Sequence, residues 1–426
     1  MFCPNPRIVR RLLAAVLAFH LTALAWAGAA RSLDFQHVGL EEGLPQESVL
    51  TIVQDHTGFI WFGTQAGLAR FDGYRHRVFR SDPADPASLP DNYVHASYED
   101  GAGRLWFGTR GGLVRFDAAR QRFVRQNLSG TDDRGGRAVT AIIGDGKGGL
   151  WVATVDGLAH LDASGGVRVY RHDARDGGSL RDDRVAALAL DGRGGLWVGT
   201  GVGLDYLAAG TGRFSHYDID GRRRSGAEPA DPRYNSIMAL SMGPDNTLWI
   251  GTAAGLEAWR LGDGKGAAVI QRHRFGADDG IGDLRINLIY PDRRGNLWVG
   301  TELEGLKWRD PANGRFVGYA NHPLDRHTLS DNQVRAVRVD RTGTLWVGTL
   351  AGGANRADLA SGDFSRFDFA PGQLPEPGSR KIRAIAAATD ASLWMGTNGA
   401  GQGPDPQGAG TVYPDRAYLV VRQRVA

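Results

Sequence analysis

The chain is nearly without cysteine, with a single residue, Cys3, in 426. A lone thiol excludes an internal disulfide, and its place ahead of the first apolar stretch removes it as a ligand or nucleophile of a folded body. Long apolar runs are missing too. Leu12 to Trp26 is the longest, interrupted by His20, and it is too short for a comfortable membrane span. Neither sign of charge is in excess. The first 30 residues carry Arg7, Arg10 and Arg11 and no acid. Subtracting these three from the 50 Lys and Arg leaves 47 bases against 47 acids. The overall basic balance therefore lies in the N-terminal segment and gives no case for nucleic-acid binding. Chemical motifs are equally scarce. The eleven histidines form no His-Glu-x-x-His and no cluster with acids at ligand spacing. No phosphate-binding Gly-x-x-x-x-Gly-Lys occurs. Gly199-Thr200-Gly201-Val202-Gly203 matches a dinucleotide loop only in its letters, because no helix follows it. Asp218-Ile219-Asp220-Gly221 is a fragment of a calcium loop and reads as a turn. No metal, cofactor or catalytic group is expected.

The N-terminal segment reads as an export signal. Three arginines precede the short apolar run, and the small-residue sites Ala25-Trp26-Ala27 and Ala27-Gly28-Ala29 follow it. Residues 1–30 are therefore assigned to a signal peptide, with cleavage between Gly28 and Ser32. No Leu-x-Gly precedes Cys3, so lipid anchoring is not expected.

What the chain does have is repetition. A phrase of Leu or Ile, Trp, a hydrophobic residue, Gly and Thr returns eight times, around Trp61, Trp106, Trp151, Trp197, Trp249, Trp298, Trp346 and Trp394. The steps are 45, 45, 46, 52, 49, 48 and 48 residues. A β-type phrase at this period reads as one propeller blade per repeat. In the second repeat, residues 93–98, 105–109, 113–116 and 122–124 read as four short strands joined by Gly-rich turns. The period-2 rule then puts Leu105, Phe107 and Thr109 on one face and Trp106 and Gly108 on the other. Both faces are apolar, as a blade between two neighbours requires. The tryptophans are assigned to the blade core, with the glycine leaving room beside each indole. A second phrase links the blades: Ser88-Leu89-Pro90-Asp91-Asn92, Ser179-Leu180-Arg181-Asp182-Asp183 and Thr328-Leu329-Ser330-Asp331-Asn332. Its residues are those of turns that lead an outer strand to the next inner one.

The expected fold is all-β: a seven-bladed β-propeller of four-stranded antiparallel blades over 31–370. Residues 33–37 should pair into the last blade and close the ring. A partial eighth repeat, 371–398, should form an orphan strand pair, and 399–426 should be an irregular Gly/Pro-rich tail.

These phrases, with Glu42-Gly43-Leu44-Pro45-Gln46-Glu47-Ser48-Val49 and the run from Asp55 to Gly73, closely resemble the two-component regulator propeller family over about residues 35 to 399. The resemblance implies a periplasmic sensor region of a bacterial inner-membrane protein. In such proteins two seven-bladed propellers precede an immunoglobulin-like domain, a membrane helix and a histidine kinase or diguanylate cyclase output. Several relatives recognise oligosaccharides. After Thr397 the expected Gly-Leu strand is replaced by an unrelated tail, and the chain reads as a truncated member. A natural soluble form is the other reading.

A propeller is a scaffold, so function must come from loop positions that break the repeat. After each Gly-Thr these are Gln65, Arg110, Asp156 and Glu302. Before or at the start of inner strands they are Asn92, Arg184, Tyr234, Asn235, Arg285, Asn287 and Arg335. Gln65, Asn92, Arg110, Asp156, Tyr234, Arg285, Glu302 and Arg335 are taken as a polar rim at one end of the channel. The expected function is ligand binding by a periplasmic, non-enzymatic sensor domain. Its partner would be a polar small molecule or an oligosaccharide, with no nucleic acid, and it would meet a membrane only through a missing C-terminal region. A homodimer is left open. The alternatives are an exported propeller enzyme of the polysaccharide lyase or quinoprotein kind, and a protein-interaction platform. The first would need a carboxylate or His/Glu pair at the channel mouth, and the second an exposed apolar patch.

Overall fold

The computed structural model describes residues 33–128, 138–219, 231–262, 268–282 and 284–359, together with three strands further on. The expected signal peptide lies outside the described residues. Within 33–359 the chain forms seven four-stranded antiparallel sheets. Six are consecutive in sequence. Blade 2, for example, is Val94–Glu99, Leu105–Thr109, Gly112–Asp117 and Arg122–Gln126. The seventh takes Val334–Val339, Thr344–Thr349 and Ala354–Asp358 from the C-terminal side and Gln36–Val38 from the N-terminal side, with His37 opposite Asn355. The first strands of the blades touch one another in cyclic order, blade 7 meeting blade 1, so the ring is closed. Seven blades and closure by the N-terminal strand agree with the sequence reading.

The core is not central. It is seven separate layers between blades, each pairing the tryptophan face of one blade with the Leu/Phe face of the next. Trp61 packs with Leu105, Phe107 and Phe116, Trp106 with Leu150 and Val152, and Trp298 with Leu345 and Val347. The alternation expected from the phrase is therefore the packing rule of the ring.

The glycine has a different role from the one expected. A Cβ on Gly108 would sit 2.4 Å from Val139 Cγ1, and Gly63, Gly199, Gly251, Gly300 and Gly348 meet Val94, Ile237, Ile286, Val334 and Val49 in the same way. Each glycine makes room for the first residue of the next blade's inner strand, and Gly63 and Gly300 also for Thr51 and Leu288 of their own blade's inner strand, not for the indole. Gly108→Ala is expected to cost about 1–3 kcal/mol by overpacking. Adding Val139→Ala should return part of that loss, as measured in a urea-unfolding double-mutant cycle; additive losses would place the clash elsewhere.

Two further devices fix the repeat. The threonine ending the phrase donates to a carbonyl across the following turn, as in Thr64 to Gly67 O at 2.8 Å and Thr349 to Gly353 O at 3.0 Å. An aspartate six residues before the tryptophan accepts the indole N–H: Asp55 from Trp61 at 2.7 Å, Asp100 from Trp106 at 2.8 Å, Asp340 from Trp346 at 2.9 Å. The other carboxylate oxygen accepts two backbone N–H groups of the turn, in Asp55 those of Thr57 and Phe59. Burial opposes ionisation of Asp100, but the bonds from Trp106 and Arg104 outweigh it and lower its pKa.

Beyond the ring, a separate unit holds Ile382–Ala387, Ser392–Asn398 and Tyr418–Arg424. Trp394 lies on the middle strand, opposite Arg422. The expected orphan pair is thus a three-stranded sheet. The expected irregular tail supplies its third strand: Tyr418–Arg424, which opens on Tyr-Leu-Val-Val, is long enough to pair with the whole second strand.

Candidate functional site

Each inner strand carries a bulge after its first residue, where the register shifts. The seven bulged residues are Leu50, His95, Thr140, Ala186, Met238, Asn287 and Arg335. A bulged residue leaves the ladder and is re-aimed, which is why bulges gather at sites. Here they ring the channel near the end formed by the second turn of every blade. Thr140 and Asn287 are tied to the neighbouring blade, donating to Val185 O at 2.6 Å and Val334 O at 3.2 Å. His95 and Arg335 remain as the ionisable members of the ring.

Around these two the polar residues collect. Arg110, exposed on the second turn of blade 2, lies over the Tyr93 ring with its guanidinium carbon 3.8 Å from the centroid. Tyr93 in turn lies nearly parallel to the His95 ring, 6.1 Å away at 19°. Arg335 approaches Glu302 to 3.1 Å. His95 is exposed to the channel, yet the atoms crowded around it and then the charges of Arg335 and Arg110 lower its pKa. The imidazole is therefore neutral at pH 7, able to donate from one ring nitrogen and accept at the other. Glu302 N–H also donates to Arg285 O at 3.0 Å, which joins the blade 6 turn to Arg285 on the connection before it.

The expected rim is only partly assembled. Arg110, Arg285, Glu302 and Arg335 lie at this end, and Gln65 occupies the corresponding turn of blade 1. Asp156 is at the same level but is paired with Arg171 at 3.0 Å. Asn92 is a structural residue: its side chain accepts the Ser81 N–H at 2.7 Å, as Asn332 accepts that of Asn321 and Asp183 that of His172. Asn235 does the same for Ile219. Tyr234 does not belong to the rim. It is buried in the layer between blades 4 and 5 under the Arg274 guanidinium, 3.8 Å from its ring. The reason is local: Asp231 caps a short 3-10 turn, Pro232–Asn235, which folds the tyrosine inward. Tyr93 and His95 were missed. For His95 the signal is that the residue after the β-branched start of each inner strand changes chemistry from blade to blade, whereas that start is always Val or Ile.

A second concavity opens between blades 3 and 4, where Trp151 stacks on His160 at 4.2 Å beside Asp145, Lys147, Arg168 and Tyr170. In this blade His160 takes the indole's place as partner of Asp145, at 3.0 Å. Among the described residues, no group of three or more His, Cys, Asp or Glu could hold a metal ion, and no helix is long and apolar enough to cross a membrane.

Comparison with known proteins bears on the repeats and the fold. The Two component regulator propeller family matches residues 43–66, 88–111, 280–302 and 328–351. Histidine kinase P4 of Formosa agariphila is 34% identical over 74 residues, 17% of this chain and 5% of that protein. Among solved structures, the extracellular domain of a protein described as a hybrid two component system from B. thetaiotaomicron superposes with a TM-score of 0.64 at 23% identity. The match covers 87% of this chain and 47% of that one, so the chain spans about half the length of that domain. Virginiamycin B lyase from Staphylococcus aureus, at 13% identity and a TM-score of 0.56, is covered over its whole length by 77% of this chain. Four segments of the seven-bladed ring thus match the two component regulator propeller family.

Proposed function

We propose that the ring is the ligand-recognition region of an exported sensor, placed in the periplasm and coupled in the full-length protein to a membrane-spanning output. The ligand is a polar solute, most simply an oligosaccharide, bound at the channel end that carries His95, Arg110, Arg285 and Arg335. One observation carries this reading: the bulge ring brings an imidazole and a guanidinium to one mouth, beside the Arg110 guanidinium held over the Tyr93 ring. A polar solute such as a sugar is held by converging donors and acceptors of this kind. The blade tryptophans cannot serve, because they are consumed between blades. The family match and the likeness to extracellular sensor domains support the sensor role.

The test is calorimetry of the exported chain against a glycan panel, with Arg110→Ala and Arg335→Ala. Each loses a charged hydrogen bond to ligand and should weaken binding about tenfold or more. Unchanged affinity in both would remove this mouth from consideration. Release of product from any glycan in the panel would favour an enzyme.

A further inference from the structure

The opposite end of the ring is formed by the first turns of the blades, and there the arginines outnumber their partners. A pocket of about 290 Å³ is lined by Arg293 and Arg294 from the blade 6 turn, Arg338 and Arg341 from blade 7, Gln54 from blade 1, and the two aspartates Asp292 and Asp340. Both aspartates are already committed. Asp292 accepts the backbone N–H groups of Arg294 and Asn296 and the side chains of Asn296 and Trp298. Asp340 accepts from Thr342, Thr344 and the Trp346 indole. The Arg341 guanidinium is likewise fixed, donating to Asp55 O at 2.6 Å and His56 O at 3.1 Å.

The side chains of Arg293, Arg294 and Arg338 have no hydrogen-bond or ion-pair partner among the described residues, and Arg338 Nε is buried without an acceptor. A buried guanidinium donor left unmade is costly, and cations sharing one pocket repel. Both costs vanish if an anion enters. Planar guanidinium forks are matched to the oxygens of a tetrahedral oxyanion.

We infer that this pocket is a second binding site, specific for a phosphate or sulfate group, held by Arg293, Arg294 and Arg338. Arg341 fixes its wall and Gln54 closes one side, its Oε1 holding the Arg341 N–H at 2.9 Å. The site shares no residue with the channel mouth bearing His95 and stands whether or not a sugar binds there. Arg293 and Arg294 are exposed and give an anion a route in from solvent, while the half-buried Arg338 sits deeper.

The experiment titrates the full chain calorimetrically with inorganic phosphate at constant ionic strength, and in parallel with inorganic sulfate and glucose 6-phosphate. Saturable binding at one site is expected with at least one of these anions. Arg293→Gln and Arg338→Gln should each weaken it about tenfold or more, the value of one charge-assisted bond. Arg213→Gln, a surface residue paired with Asp176, should leave it unchanged and controls for net charge. Tighter binding of glucose 6-phosphate than of phosphate would assign the site to an esterified anion; the reverse would assign it to the free ion. Arg293 is exposed, so its variant folds and keeps the test decisive if Arg338→Gln does not. No saturable binding with any of the three anions, or equal affinity in Arg293→Gln, would overturn the proposal. So would an equal loss in Arg213→Gln.

Discussion

Replacing Trp197 by alanine is expected to lower the unfolding free energy by about 3–5 kcal/mol, the cost of a large deletion in a rigid core. The indole is fully buried, against Tyr206 at 4.8 Å, Tyr217 at 5.1 Å and Trp259 at 6.3 Å between ring centroids. These neighbours cannot collapse into the space. Tyr206 is held by its bond to Asp191 at 2.7 Å, and Trp259 by its bond to Glu257 at 2.7 Å and by Arg272 over its face. Trp197→Phe should behave quite differently. Trp197 Nε1 is buried without an acceptor, since Tyr206 has taken the Asp191 carboxylate that the indole uses in other blades. Phenylalanine removes that unmade donor and most of the ring area stays, so its cost should stay below about 2 kcal/mol. Trp106→Phe deletes a real bond to a buried carboxylate and should fall between the two. Urea midpoints at constant m-value give the ranking. A Trp197→Phe variant as unstable as Trp197→Ala would show that the cavity is not the cause.

That comparison also shows how far the sequence could be read. Period, blade count and facing were legible because they depend on neighbours in the chain: alternation within five residues, and a phrase that recurs at blade length. The aspartate six residues before the tryptophan was printed in the sequence as plainly, at Asp55, Asp100, Asp292 and Asp340. Its role was hidden because the bond closes only when the hairpin returns the indole over the turn. Tyr234 misled for a related reason. It lies within the longest step, 52 residues from Trp197 to Trp249, and a tyrosine on a long connection looks like a loop residue. The cap at Asp231 makes it core. The site was less legible still. His95 is one residue inside a strand, where alternation alone gives it to a blade face. A one-residue bulge, set by pairing between strands, turns it to the channel instead.

Removing residues before Gly39 should open the ring, with a loss larger than any single substitution in a blade. The closing strand is short, Gln36–Val38, but its ties reach far along the chain. Phe35 is 2% exposed and meets the edge of Tyr319 at 6.1 Å, and its N–H donates to His327 O at 2.9 Å. His37 bonds Thr328 O at 2.8 Å, and Gln36 accepts from Arg356 at 2.9 Å. Without this strand, Ala354–Asp358 becomes an open edge with a row of unpaired backbone groups, a template for another chain. Phe35→Ala alone should cost about 3–5 kcal/mol through the cavity it leaves. The shortened chain should unfold at clearly lower denaturant and associate on size exclusion. Closure is a bimolecular contact once the strand is cut away. A synthetic peptide of residues 31–40, added in excess, should therefore restore stability in proportion to the logarithm of its concentration. The same peptide should have no effect on the intact chain, whose edge is already occupied. A shortened chain that melts with the full one, or ignores the peptide, would mean that the contacts between blades 7 and 1 hold the ring shut by themselves.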